Sequence, residues 1–194
     1  MFSEEVIQSK METIISAYMN YNTEFEYNPT NISGMVCLLG PLMFCLQKKE
    51  SDIFWCFQTI MKKIESYFAE ESLSVKISKL IMYLRTVAPE LFNYFEEEEL
   101  LPTDWATSWL SFLLARELPL ESILRLYDTY WSNLDGLDLH LFVCIAILIN
   151  CSESLIELDI SELKSFLQRL PQRMDMDEII SQAYNLKIEV QHSQ

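Results

Sequence analysis

Apolar residues return at helical spacing in one segment after another along this chain. Ile7, Met11, Ile14, Ile15 and Tyr18 follow the i, i+4, i+7, i+8 rhythm of an amphipathic helix. Ser51 or Asp52 is placed to cap a helix whose inward face is Phe54, Phe57, Met61, Ile64 and Phe68. Ile77, Leu80, Ile81 and Leu84 share a face, and Pro89 opens a short helix over Leu91 to Phe95. Thr103, after Pro102, is a cap for a helix carrying Trp105, Trp109, Phe112 and Leu113, and Pro119 starts one with Ile123, Leu126, Tyr127 and Tyr130 inward. Met35 to Leu46 and Leu137 to Ile149 are apolar on all sides and read as buried helices, the first kinked or started at Pro41. Amphipathic patterns over Ser161 to Leu170 and Met176 to Leu186 complete nine or ten helices. The polar stretch Asn20 to Thr30 reads as a loop. No convincing strand is present, and 3 glycines and 6 prolines are too few for a protein of many short strands and tight turns. The fold class is all-α.

Charge narrows what such a bundle can bind. The net charge is −15, and every third of the chain carries more carboxylates than cations. No segment supplies the basic stripe that phosphate backbones or anionic lipid heads require, so neither nucleic acid nor a membrane surface is expected as a direct partner. Solubility explains the acidity, with a basic protein partner as the alternative. The longest wholly apolar run, Met35 to Leu46, is broken by Gly40-Pro41 and too short to span a bilayer, so no direct membrane insertion is expected. The opening residues lack the basic-then-apolar layout of a signal peptide. Cys37, Cys45, Cys56, Cys144 and Cys151 form no C-x-x-C and read as buried free thiols of a reducing compartment.

Self-contained chemistry is hard to find. His140 sits inside an apolar run, where a satisfied core imidazole is the simplest reading, and His192 lies near the end. No spacing of His, Cys and carboxylates suggests a metal, no Gly-rich loop could cradle a phosphate, and no cofactor is expected. Glu96 to Glu99 are four consecutive carboxylates, which splay around a helix end as a solvated face.

Several runs together resemble the TBC domain, the all-helical module of GTPase-activating proteins for Rab GTPases. Asp52-Ile53-Phe54-Trp55-Cys56-Phe57 is similar to the family's D-x-F-W-C-F helix. Leu84 to Leu100 resembles its leucine-rich helix, its A-P-E-L turn and the helix that follows. Trp109, Leu113, Arg116-Glu117-Leu118-Pro119 and Leu124-Arg125-Leu126-Tyr127-Asp128 follow its W…L..R-E-L-P…L-R-L-W-D block, with Tyr127 at the usual tryptophan. Leu139 to Cys144 matches the next helix, and Asp159 to Tyr184 resembles the tail of the family's Golgi-type branch.

The resemblance implies a shortened multi-helix domain, mainly the family's C-terminal subdomain. Residues 1–30 would be a reduced N-terminal subdomain of one helix and a loop, 31–187 the helical domain and 188–194 a flexible tail. It implies a Rab-like small GTPase, or a complex that regulates one, as partner, in the cytoplasm or peripheral to Golgi or other endomembranes during vesicle traffic. Family members insert an arginine from I-x-x-D-x-x-R and a glutamine from Y-x-Q-G-M into the GTP site. Gly40-Pro41-Leu42 aligned with the family's G-P-L sets Asn31, Ser33, Gly34 and Met35 on Y-x-Q-G-M as the partner-binding segment, with Ser33 at the glutamine position. Val36 and Cys37 stand where polar residues often follow. No arginine precedes Arg85, and the nearest cations in kind, Lys48 and Lys49, lack the planar fork.

Trp55, Trp109, Arg116, Glu117, Arg125 and Asp128 are expected as structural residues, with Arg125 and Asp128 paired at i, i+3 to tie the Trp109 helix to the Tyr127 helix. The resulting expectation is a regulator that binds without dual-finger catalysis and is not an enzyme. The alternatives are an active Rab GTPase activator whose arginine is supplied elsewhere, and a purely structural helical scaffold.

Overall fold

The computed structural model describes residues 4–22, 29–46, 49–132 and 136–192. Eleven α-helices and two 3₁₀ turns make up its regular elements, with no strand among the described residues. The chain divides into two compact units, residues 1–70 and 71–194. This boundary differs from the expected division into 1–30 and 31–187. It falls where α3 ends at Glu70, because the first three helices bury their apolar faces on one another.

The first unit holds α1 (Glu4–Tyr21), α2 (Pro29–Cys45) and α3 (Glu50–Glu70), each packed on the other two. The α1 stripe buries Ile14, Ile15 and Tyr18, and Tyr18 meets Phe57 edge to face at 5.3 Å. The Tyr18 hydroxyl donates to Glu65 at 3.2 Å, and burial followed by that carboxylate's charge raises the phenol's pKa.

α2 is longer than expected and carries Pro41 in its interior, where the ring removes one N–H from the ladder. It is not apolar-buried on all sides: Met35, Leu38 and Leu39 face the core, while Val36 and Phe44 are exposed. Of the expected loop 20–30, residues 20–21 belong to α1 and 29–30 to α2, and 23–28 lie outside the described residues.

α3 starts at Glu50, ahead of the expected caps, with the Ile53 amide bonded to the Lys49 carbonyl. Its buried stripe is Ile53, Phe57, Ile60, Met61, Ile64 and Tyr67, which leaves Phe54 and Phe68 only half-buried.

The second unit is organised around α8 (His140–Asn150), whose residues 140–148 are all buried. α4 (Leu73–Val87), α6 (Ala106–Ser111) and α11 (Met176–His192) pack on it, and α7 (Leu120–Ser132) packs on α11. α5 (Pro89–Glu97) lies on α4, with Pro89 in its first turn as expected. α9 (Ser152–Leu155) is a single turn, and α10 (Ile160–Gln168) opens with a capping box between Asp159 and Glu162.

Two expected boundaries move in this unit. Thr103 caps nothing, because Pro102–Asp104 forms a 3₁₀ turn and α6 begins only at Ala106. α6 then ends at Ser111, and Leu113 and Leu114 take φ of 50° and 63°, both fully buried. Such backbone costs about 1–2 kcal/mol per residue and persists only where packing over-determines it. The last helix runs past residue 188, the expected start of the tail. α11 continues to His192, because the stripe Ile179, Ala183 and Leu186 extends to half-buried Val190.

Candidate functional site

The segment Asn31 to Met35 lies in the first two turns of α2, so its residues are helical and successive side chains point in different directions. Ser33 is exposed, Gly34 is buried and Met35 is 2% exposed. The Asn31 side chain lies outside the described residues, as does Lys48, and Lys49 is exposed. Met35 thus belongs to the core of the first unit, and among the described side chains of this segment Ser33 is exposed and Ile32 half-buried, with the exposed apolar Val36 three residues beyond Ser33. Trp55, expected as a structural anchor, is 55% exposed and stands with Tyr21 and Phe54 in an edge-to-face cluster, centroids 5.1–6.0 Å apart. It faces outward because the α3 stripe turns Ile53 and Phe57 inward.

In the second unit the expected motif residues meet around the end of α6. The Trp109 indole N–H donates to the Leu167 carbonyl at 2.8 Å, tying α6 to α10. The Trp109 carbonyl accepts twice, from the Leu114 amide at 3.1 Å and from His140 Nε2 at 3.0 Å. Since Nε2 donates, Nδ1 of the neutral ring accepts, and the Tyr130 hydroxyl supplies that proton at 2.7 Å. Both ring nitrogens are used. Complete burial pushes the His140 pKa down to about 4, so the imidazole is neutral near pH 7. No base waits there.

Glu117 is 5% exposed, its Oε1 accepts from the Ser108 hydroxyl at 2.5 Å, and Oε2 is buried without a hydrogen-bond partner. Burial raises its pKa, opposed by the Ser108 bond and the Arg116 charge. The Glu117 carbonyl takes the Leu170 amide at 3.0 Å. The same surroundings raise the Cys144 thiol, through burial first and the Glu117 charge second. These groups fasten helices together.

The expected Arg125–Asp128 pair is not formed. Arg125 reaches Asp177 on α11 at 2.6 Å and the Thr129 hydroxyl at 2.8 Å, while Asp128 is exposed. The cation therefore ties α7 to α11 and not to the Trp109 helix, through a carboxylate in the acidic first turn of α11. Arg116 is exposed and lies over the Phe112 ring at 5.4 Å, and Arg85 lies over Phe92 at 5.6 Å. Among the described residues no three His, Cys, Asp or Glu side chains converge as a metal site, and no helix is long and apolar enough to cross a membrane. Sequence reasoning missed Ser108 and Asp177, and it placed Tyr130 inward without its bond to His140; the partners are 9 to 52 residues away and leave no local signature.

The family model described as the Rab-GTPase-TBC domain matches residues 1–156. The chain belongs to the RabGAP-TBC family. The match opens upstream of the expected residue 31, taking in α1, and closes before α10 and α11. TBC1 domain family member 17 of Homo sapiens is 27% identical over 177 residues, which cover 89% of this chain and 26% of that protein. TBC1 domain family member 22B of Homo sapiens is 32% identical over 181 residues, covering 89% and 34%. The chain thus spans about a quarter to a third of the length of these relatives.

Among solved structures, the Ypt/Rab-GAP domain of Gyp1p superposes with a TM-score of 0.76 at 22% identity, covering 96% of this chain and 66% of that one. A Chlamydomonas flagellar RabGAP TBC domain gives 0.70 at 19% identity, covering 91% and 59%. Both likenesses establish the RabGAP-TBC fold. Membership in a family of GTPase activators overturns the expectation that the chain is no enzyme-type regulator. The expected reading of Ser33 does not outweigh a match over residues 1–156.

Proposed function

We propose that this chain holds a Rab-type small GTPase in its GTP form and raises its rate of hydrolysis, with the catalytic arginine and glutamine supplied from outside the two family motifs. The observation that carries the reading is family membership combined with the composition of α2. The motif segment is folded and keeps Ser33 at the surface, but serine is about two bonds too short to place a water where a glutamine amide would. No arginine stands anywhere in residues 1–84. An arginine finger contributes about 10³–10⁵ in rate, roughly 4–7 kcal/mol of barrier, so its source decides the activity. The GTPase or a partner subunit could donate it. On this chain Arg85 and Arg116 are exposed and held only over aromatic rings, whereas Arg125 is engaged by Asp177. The setting that fits such a role is the cytoplasmic side of an endomembrane.

Single-turnover GTP hydrolysis by a panel of GTP-loaded Rab GTPases, with and without the protein, tests this. Acceleration of at least tenfold on one GTPase is expected, unchanged within twofold by Ser33→Ala. Arg85→Ala and Arg116→Ala then separate an arginine of this chain from one of the partner. Hydrolysis at the intrinsic rate across the panel, with or without binding, overturns the proposal.

A further inference from the structure

The second unit carries a cleft that its family surface does not account for. It measures about 500 Å³ and lies between α4, α5 and the 3₁₀ turn that follows. That volume falls inside the range of about 300–1,000 Å³ typical of binding sites. Ile81, Phe92, Phe95, Leu101, Pro102 and Trp105 form its apolar wall, and Glu96 and Glu99 stand at its lip. The chain reverses there. Glu99 takes φ of 53°, and the Leu100 amide closes on the Phe95 carbonyl at 2.9 Å, which brings Glu99 round beside Glu96. Leu100 is buried by this turn, while Leu101 is left 59% exposed and extends the apolar surface beyond the cleft.

We infer that this cleft receives a short segment of a partner protein that presents a bulky apolar side chain next to a lysine or arginine. Charge complementarity selects that chemistry. Glu96 and Glu99 put two exposed carboxylates at the lip of the cleft. No lysine or arginine stands among the described residues that line it. A neutral apolar occupant would strip water from Glu96 and Glu99 and return no partner to them. An anionic occupant, phosphate included, would be repelled. A cation beside an apolar anchor satisfies lip and wall together, and the exposed Leu101 favours a polypeptide that continues past the cleft over a small molecule confined within it.

Fluorescence anisotropy of a labelled eight-residue peptide of alternating lysine and leucine tests this on the intact chain. Saturable binding is expected, at least tenfold weaker to Glu96→Gln/Glu99→Gln and to Leu101→Ser. Binding should be unchanged for Glu153→Gln/Glu157→Gln, which removes the same charge from exposed carboxylates elsewhere. The matching glutamate–leucine peptide should not bind. Equal weakening by both double variants would reduce the effect to net charge and overturn the inference. Wild-type binding by Leu101→Ser, or no saturable binding by the unmodified protein, overturns it as well. Circular dichroism of each variant verifies that the fold is intact.

Discussion

Acid should weaken the second unit through His140. The ring is completely buried, and its neutral form is fixed by donation to the Trp109 carbonyl and acceptance from the Tyr130 hydroxyl. An unfolded chain takes up the imidazole proton at the ordinary value near 6.5, whereas the folded one resists to about 4. Between those values the unfolded state binds more protons, so stability falls as pH falls. The contribution is fully present above pH 6.5 and is lost progressively down to about pH 4, for about 3 kcal/mol in all at 1.36 kcal/mol per pH unit. Against a typical domain stability of about 5–15 kcal/mol that is a large share.

Urea unfolding followed by tryptophan fluorescence between pH 7 and 4 measures it, since Trp105, Trp109 and Trp131 all lie in the second unit. His140→Gln removes the titration, so its stability should depend on pH less steeply than wild type by about 3 kcal/mol over that range, whatever its starting value. Parallel pH profiles for the two proteins would refute the reasoning. If the variant does not fold, the wild-type imidazole resonances decide the matter. The chain has two histidines, and the one assigned to His140 should stay neutral down to pH 5.

Glu117 works in the opposite sense. Its raised pKa means that protonation favours the folded state, so Glu117→Gln should stabilise the protein at pH 7, as read by melting temperature, and make its acid loss steeper than wild type. Asp177→Ala should cost no more than about 1 kcal/mol, because both partners of its pair with Arg125 are largely exposed. Asp128→Ala should stay within about 0.5 kcal/mol, and urea midpoints distinguish the two. Gly136→Ala should destabilise by about 1–3 kcal/mol, since an added Cβ would lie 2.2 Å from the Tyr130 carbonyl oxygen, backbone that cannot swing away. Gly40→Ala meets nothing within 4 Å inside α2 and should add about 0.5–1 kcal/mol. A reversed order of melting temperatures for these two variants would contradict the packing described.

Periodicity located the helices because each is held in place mainly by burying one apolar face, and α7 buries the four residues its spacing selects. What periodicity cannot carry is how a helix ends. Phe112 and Leu113 continue the stripe of Trp105 and Trp109, yet the backbone reverses at Leu113 and Leu114, a conformation with no residue signature when the residues are leucines. Pro102 misplaced the start of α6 because it initiates a 3₁₀ turn instead of an α-helix. Arg125 has a carboxylate three residues away and pairs with one 52 residues away, since only packing decides which helix lies alongside. At the candidate site, the identity of Ser33 was legible, but its exposure beside a buried Met35 was not, because the apolar run starts only at Met35 and no periodic pattern places residues 31–34 on a helix face.

The residues that carry the family resemblance most strongly divide by what holds them. Trp109 and Glu117 are enclosed, and each fastens α6 to a later part of the chain through Leu167 or Leu170. Truncating Trp109 would leave the Leu167 carbonyl without its indole donor, at about 1–3 kcal/mol, whereas the Leu170 amide bonds the backbone carbonyl of Glu117 and keeps its partner when that side chain is truncated. Such residues are required by the fold whether or not anything binds. Ser33 is exposed on a helix whose packing rests on Met35, Leu38 and Leu39, so exchanging its side chain should change stability by no more than about 0.5 kcal/mol. A RabGAP-TBC chain can therefore keep its scaffold motifs intact while an exposed side chain such as Ser33 changes without structural penalty. The scaffold blocks report which fold is present, and only the exposed positions report which catalytic groups this chain brings to it.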